Sequence, residues 1–169
     1  MKTIIPIMLL IFSILSCGNK HDSENETITK NDLLALKEMS ESVYDSVLAK
    51  KYGADEYGMK KYIFAYLKRG PKRNQDSIEI AQIQKGHMDN INRLAKEGKL
   101  ILAGPFFDDT EVRGIFIFNV ESIAEAEALI NTDPAIKSGR LIMELHPWYG
   151  SAALMEVNAL HGKITKKEF

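Results

Sequence analysis

The stretch AQIQKGHMDNINRLAKEGKLILAG, residues 81–104, decides the fold because it joins an amphipathic pattern to an apolar, strand-like pattern across one glycine. Apolar side chains recur three and four residues apart, which predicts a helix with one buried stripe. That stripe comprises Ile80, Ile83, Ile91 and Leu94, with His87 among them. A histidine on such a stripe is either a packed core residue or a catalytic group that the core holds in place.

Similar patterns predict two helices and four strands. The first helix is predicted over 77–97, because Asp76 and Glu79 form a variant of the capping box and Gly98 can end it. The other predicted elements are strands at 61–67, 99–104, 112–120 and 139–148 and a helix at 122–131. This β-α-β-β-α-β order is the ferredoxin-like arrangement. We therefore predict an α+β sandwich.

Apolar and aromatic residues occupy both faces of the predicted strands. In the first strand, Tyr62 and Phe64 alternate with Ile63 and Ala65. Two helices cover only one face of a sheet, and a large exposed apolar patch marks an interface. We therefore predict a homodimer whose sheets pack face to face as an α+β barrel. Cover by an extra N-terminal helix within one chain is the alternative.

The N-terminus has the layout of a secretory signal. A lysine precedes an apolar run over 4–15, which is short for a transmembrane span, and small residues follow before Cys17. The segment ILSC resembles a bacterial lipobox, whose cysteine becomes the lipidated first residue. We predict a signal peptide over 1–16 and a lipid anchor at Cys17 in the cell envelope, at the outer membrane. An ordinary cleaved signal and a transmembrane anchor are the alternatives.

The remaining segments surround the core domain. The polar composition of residues 17–31 predicts a flexible tether. The apolar spacing over residues 32–52 predicts an amphipathic helix with Asp32 as its cap. Residues 156–169 are predicted to be a charged tail.

Charge and motifs exclude several functions. The formal net charge is −1, so the chain lacks the broad basic field of a nucleic-acid-binding protein. It also contains no phosphate-binding glycine loop, no zinc-protease helix motif and no serine-hydrolase elbow. We predict no nucleic-acid partner.

Four segments together resemble the YCII-related domain family. They are GHMDNINRLAKEGKLILAGPF, RGIFIFNV, NTDPAIKSGRL and MELHPWYG, and the similarity covers 57–155 in order. The preceding KYGADEYGMKKYIFAYLKRGP resembles the longer members of bacteroidete-type bacteria. The resemblance implies a dimeric ferredoxin-like α+β barrel without an organic cofactor and with a His–Asp pair in a cleft. One branch of the family resembles a dehydrochlorinase of hydroxylated, chlorinated aromatic rings, whereas most members have no assigned substrate.

The resemblance identifies the pair as His87 and Asp133, and it makes the AGP turn, with Gly104 and Pro105, a wall of the cleft. An imidazole exchanges protons near neutral pH, and a carboxylate on one ring nitrogen leaves the other for a substrate. From the residues alone, Asp133 could instead cap the short turn that follows it, and His87 could be a core residue.

Three further side chains could line the cleft: Arg113, Trp148 and Tyr149. Packing in the core or at its rim is the alternative for each. A metal site built from His87, His146 and a carboxylate has no recognised ligand spacing, so none is predicted.

These observations leave two functions open. The first is an enzyme that performs general acid–base chemistry, an elimination or an isomerisation, on an unknown small molecule. The second is a catalytically inactive, lipid-anchored protein that binds a small molecule or acts as a scaffold.

Overall fold

The computed structural model describes residues 29–34 and 43–167. Its ferredoxin-like part consists of β1 (Met59–Arg69), α2 (Ser77–Lys96), β2 (Leu100–Pro105), β3 (Val112–Phe118), α3 (Ile123–Ile130) and β4 (Leu141–Ser151). Helix α1 (Ser46–Tyr52) precedes it, a short α4 (Pro134–Lys137) precedes β4, and a 3-10 segment (Ala152–Glu156) and α5 (Val157–Ile164) follow it.

The sheet has the strand order β2-β3-β1-β4, and every neighbouring pair is antiparallel. This is the order of a ferredoxin-like fold, so the predicted α+β class and element order are confirmed. Two strands differ from their predicted bounds: β1 extends two residues beyond each predicted end, and β4 starts at Leu141 and continues to Ser151.

The helices pack on one face of the sheet and form the main core. Helix α2 starts as predicted, because Asp76 accepts hydrogen bonds from the backbone of Ile78 and Glu79 while the Glu79 carboxylate accepts from Asp76. Gly98, with φ of 67°, follows its end. The buried residues of this core are Ile63, Ala65, Leu67, Leu94, Leu100, Phe116, Phe118, Val120, Ala126 and Ile130.

The opposite face of the sheet is covered in part by the C-terminal segment. Tyr62, Ile101 and Ile117 are buried there, and Leu154 and Met155 of the 3-10 segment pack against them. The prediction of a charged tail over 156–169 is therefore corrected. Most of these residues form helix α5, and the 3-10 segment before that helix covers apolar surface of the sheet.

The single helix predicted over 32–52 is also corrected. Residues 43–45 are not helical, and α1 begins only at Ser46, where the Asp45 side chain accepts bonds from Val47 and Leu48. Residues 30–34 are helical, and Thr29 rather than Asp32 precedes them. The predicted signal peptide, Cys17 and nearly all of the tether lie outside the described residues.

The sheet with its helices belongs to the compact unit that begins at Tyr44. Within the described residues, none of the helices has the length and hydropathy needed to cross a membrane.

Candidate active site

His87 lies in the middle of α2, on the side that faces the sheet. The residue is 8% exposed, and its ring stacks on Phe116 of β3 with ring centroids 6.0 Å apart and an interplanar angle of 13°. The apolar stripe predicted from the sequence therefore does bring the imidazole against the core.

Asp133 is completely buried and performs both of the roles that the sequence left open. Its Oδ2 lies 2.7 Å from His87 Nδ1, and its Oδ1 accepts a hydrogen bond of 2.8 Å from the backbone of Ala135. The second bond is the N-cap of α4, which begins at Pro134. One oxygen caps the helix while the other holds the histidine, so the two interpretations do not compete.

The hydrogen bonds determine which nitrogen of His87 is free. An ionised carboxylate only accepts hydrogen bonds, so Nδ1 carries the hydrogen and Nε2 carries the lone pair. Among the described residues every buried side-chain nitrogen and oxygen has a partner, and the one bond found there for this ring is at Nδ1. Nε2 of His87 has no hydrogen-bond partner among the described residues, and the side chain is 10% exposed.

A second set of side chains supports Asp133, and sequence reasoning missed it. Asn90, 7% exposed, directs its amide nitrogen to Asp133 Oδ2 at 3.5 Å. Its amide oxygen accepts a hydrogen bond of 2.8 Å from Arg93 and lies 2.8 Å from the Thr132 hydroxyl, which also lies 2.6 Å from Leu129 O. The signal was available, because Asn90 follows His87 by three residues on the same helix face and is polar.

Gly104 and Pro105 lie at the end of β2 rather than in a turn. Beside them, Ala103 pairs with Phe116, so both side chains project from the same face of the sheet. Phe116 is buried under the ring of His87, whereas Ala103 is exposed. The helices therefore leave the edge strand exposed beside Phe116.

The other predicted cleft residues do not meet His87. Trp148 pairs with Tyr62 and projects from the opposite face of the sheet. Tyr149 pairs with Lys61 and projects from the helix side of the sheet. It lies four residues along β4 from Leu145, the residue of that strand that is level with Phe116. Arg113 binds the loop before β3, through Asp108 O at 3.2 Å, Asp109 Oδ1 at 2.9 Å and Thr110 O at 3.3 Å.

Comparison with known proteins identifies the domain. Residues 63–149 match the model of the YCII-related domain, which is half of the chain. This chain belongs to the YCII-related domain family. It is 30% identical over 80 residues to the uncharacterized protein YjpA of Bacillus subtilis (strain 168), which covers 47% of this chain and 85% of YjpA.

A solved structure is also similar to this YCII-related chain. It is the 5-chloro-2-hydroxyhydroquinone dehydrochlorinase of Burkholderia phenoliruptrix AC1100 in complex with 2,5-dihydroxybenzoquinone. The identity is 21%, the TM-score is 0.37, and the similarity covers 51% of this chain and 92% of that one.

The face of the sheet opposite helices α2 and α3, called the open face below, carries a second histidine–carboxylate contact. His146 Nε2 lies 2.9 Å from Glu144, which also forms an ion pair with Lys68, and all three are accessible to solvent. The Lys68 bond, followed by that of His146, lowers the pKa of Glu144. His146 and His87 project from opposite faces, so they cannot share a metal ion. Within the described part of the chain no group of three potential metal ligands occurs.

A groove of about 490 Å³ lies at the other end of the sheet from Pro105. Its lining is Gly53, Asp55, Met59, Lys60, Lys61, Glu121 and Tyr149, without His87. The Tyr149 hydroxyl donates to Asp55, which lowers the pKa of that carboxyl and raises the pKa of the tyrosine. Tyr149 therefore belongs to this groove.

Proposed function

We propose that this YCII-related protein is an enzyme that performs general acid–base chemistry on a small organic molecule through its own side chains. The observation that carries the proposal is the buried 2.7 Å contact between His87 Nδ1 and Asp133 Oδ2, with Nε2 left as the reactive nitrogen. A buried carboxylate fixes the tautomer of the imidazole and stabilises the imidazolium once it forms.

In the proposed reaction, Nε2 of His87 removes a proton from an acidic C–H or O–H group of the substrate. The electron pair of that bond then forms a new double bond. In an elimination, the leaving group departs with its own electron pair. In an isomerisation, the imidazolium returns the proton to a different atom. Asp133 stays ionised throughout and balances the charge on the ring.

The exposed edge at Ala103 is the proposed entrance for the substrate. It lies beside Phe116, on which His87 stacks, and the adjacent Gly104 and Pro105 wall that side. A small, partly apolar molecule suits this position because the exposed surface there is the methyl group of Ala103, next to Pro105.

The test is a screen of enolisable carbonyl compounds and hydroxylated aromatic compounds in deuterated water. Exchange at an acidic C–H group, or loss of a leaving group, would be followed by NMR for the wild type, His87→Gln and Asp133→Asn. We expect both variants to lose about 100-fold or more of the rate. An asparagine can still cap α4, but its amide donates to Nδ1 and forces the hydrogen onto Nε2.

His146→Gln is the matched control, because it removes a histidine–carboxylate contact from the opposite face. Its rate should stay within about twofold of the wild type, as for a surface substitution. A reaction that persists unchanged in His87→Gln would contradict the proposed function.

The second candidate is a catalytically inactive protein that binds a small molecule or acts as a scaffold. The position of the groove favours it, because the groove is lined by Lys60, Asp55 and Tyr149, away from His87. In the same screen, this function predicts ligands that shift NMR signals of the groove residues and are not turned over.

We propose in addition that the protein is a lipoprotein of the cell envelope, anchored through Cys17 at the outer membrane. The short apolar run followed by ILSC supports the anchor. We expect Cys17→Ser to release the protein from the membrane fraction or leave its signal uncleaved. Normal processing and membrane retention of that variant would contradict the anchor.

We also propose a homodimer formed by the open face of the sheet. Tyr66 and Trp148 remain more than a third exposed on this face, next to the half-buried Phe64, with which both make aromatic contacts. The C-terminal segment leaves these rings uncovered, and apolar surface of this kind is typical of an interface.

A further inference from the structure

Gly86, the residue before His87, is in an unusual position for a glycine. It lies in the middle of the twenty-residue helix α2, where glycine is less favourable than every residue except proline. Its backbone φ is not positive, so its conformation does not require a glycine. A different reason must explain the absence of a side chain there.

The reason is the close approach of Pro134, the residue after Asp133. A Cβ atom on Gly86 would lie 2.8 Å from Pro134 Cγ and 3.3 Å from its Cβ. Carbon atoms in contact are normally about 3.5–4.0 Å apart, so α2 and α4 pack too closely at this point for any side chain.

Neither helix can relieve such a clash without moving the acid–base pair. A change of ring pucker moves Cγ but leaves the 3.3 Å approach to Cβ, because the proline ring is closed on its own backbone nitrogen. Pro134 is also the first residue of α4, which Asp133 caps. His87 is bonded to Gly86, and Asp133 is bonded to Pro134. A displacement of Pro134 by several tenths of an ångström therefore changes the 2.7 Å contact between the two functional side chains.

We propose that Gly86 is a positioning residue: its missing side chain sets the distance between His87 and Asp133. The catalytic meaning of this role rests on the proposed function, whereas the geometric role does not. Gly86 acts through the packing of α4 and needs no contact with a substrate.

Gly162 provides a matched control. It lies inside helix α5, and a Cβ atom there would meet nothing within 4 Å. Alanine at Gly162 should raise the midpoint of thermal unfolding by about 2–4 °C through helix propensity alone. Gly86→Ala gains the same propensity but should show no increase in the midpoint, because the new methyl group strikes Pro134.

The direct readout is the Nδ1–H proton of His87, observed by NMR in the full chain with ¹⁵N-labelled histidine and assigned by its loss in His87→Gln. In Gly86→Ala we expect this proton to exchange with water about tenfold faster or more, since losing one hydrogen bond has an effect of that size. Gly162→Ala should leave the exchange rate unchanged. With a substrate, kcat should fall while KM changes little.

The double variant Gly86→Ala/Pro134→Ala tests the cause, because it removes Cγ, the atom that the new methyl group would approach to 2.8 Å, and leaves only the milder 3.3 Å approach to Cβ. It should recover most of the slow exchange, and it should fold even where Gly86→Ala alone does not. The proposal is overturned if Gly86→Ala gains stability like Gly162→Ala with unchanged exchange, or if the double variant is as impaired as the single one. Faster exchange with full turnover would support the positioning role and contradict the proposed function.

Discussion

At the scale of single residues, the site depends on how one buried carboxylate is satisfied. Asp133 is completely buried, which costs free energy unless hydrogen bonds replace its water. Three donors do so: the backbone of Ala135, the ring of His87 and the amide of Asn90. The amide orientation of Asn90 follows from its neighbours, because the carboxylate can only accept and the Arg93 guanidinium can only donate.

Asn90→Leu tests this support. Leucine has a similar size but leaves Asp133 and Arg93 each without one partner, whereas the Thr132 hydroxyl still has Leu129 O as an acceptor. We expect the free energy of unfolding to fall by about 1–3 kcal/mol, the usual cost of an unsatisfied buried polar group. The measurement is urea denaturation at neutral pH.

The control for this prediction is Asn74→Leu, the same exchange at an exposed position in the loop before α2. It should change the free energy of unfolding by no more than about 0.5 kcal/mol. Equal losses in the two variants would mean that Asn90 does not support Asp133.

At the scale of helices and strands, prediction worked where the local signal was strong. Asp76 and Gly98 delimit α2 almost where the sequence indicated, because caps act on adjacent backbone groups. The N-terminal helix was predicted too long, since its apolar spacing continued past Asp45, which in fact caps a new helix at Ser46. Periodicity alone does not show where a helix restarts.

The C-terminal segment was mispredicted for a different reason. Its lysines suggested a charged tail, but Val157–Ile164 form helix α5, and Asn158 in that helix donates a 2.9 Å hydrogen bond to Leu100 O. This bond joins residues that are 58 positions apart. Local composition therefore could not reveal that the segment covers the second face of the sheet.

At the scale of the whole molecule, the sheet has two apolar faces and its helices cover one. The C-terminal segment covers Tyr62 on the second face, whereas Tyr66 stays 37% exposed. Light scattering on a fragment that begins after Lys20 should therefore give twice the monomer mass at micromolar concentration. Tyr66→Lys should shift it to the monomer, because the interface would have to bury a second lysine opposite Glu144, whose charge Lys68 already balances.

Ile78→Lys is the control for the dimer, since Ile78 is also an exposed apolar residue but lies at the start of α2. It should leave the mass unchanged. A wild-type fragment that scatters as a monomer would show that the open face does not pair two copies of the chain.

The sequence by itself determined the element order, the caps, the two apolar faces of the strands and, through family resemblance, the pair His87 and Asp133. These features depend on neighbouring residues in the chain or on motifs that can be recognised within a short segment. Tertiary structure decided the rest: the 2.7 Å contact across 46 residues, the support from Asn90, the close approach at Gly86, and the side of the sheet on which Trp148 lies. Each of these depends on strand register and helix packing, because the sequence of one element does not determine its distance from another.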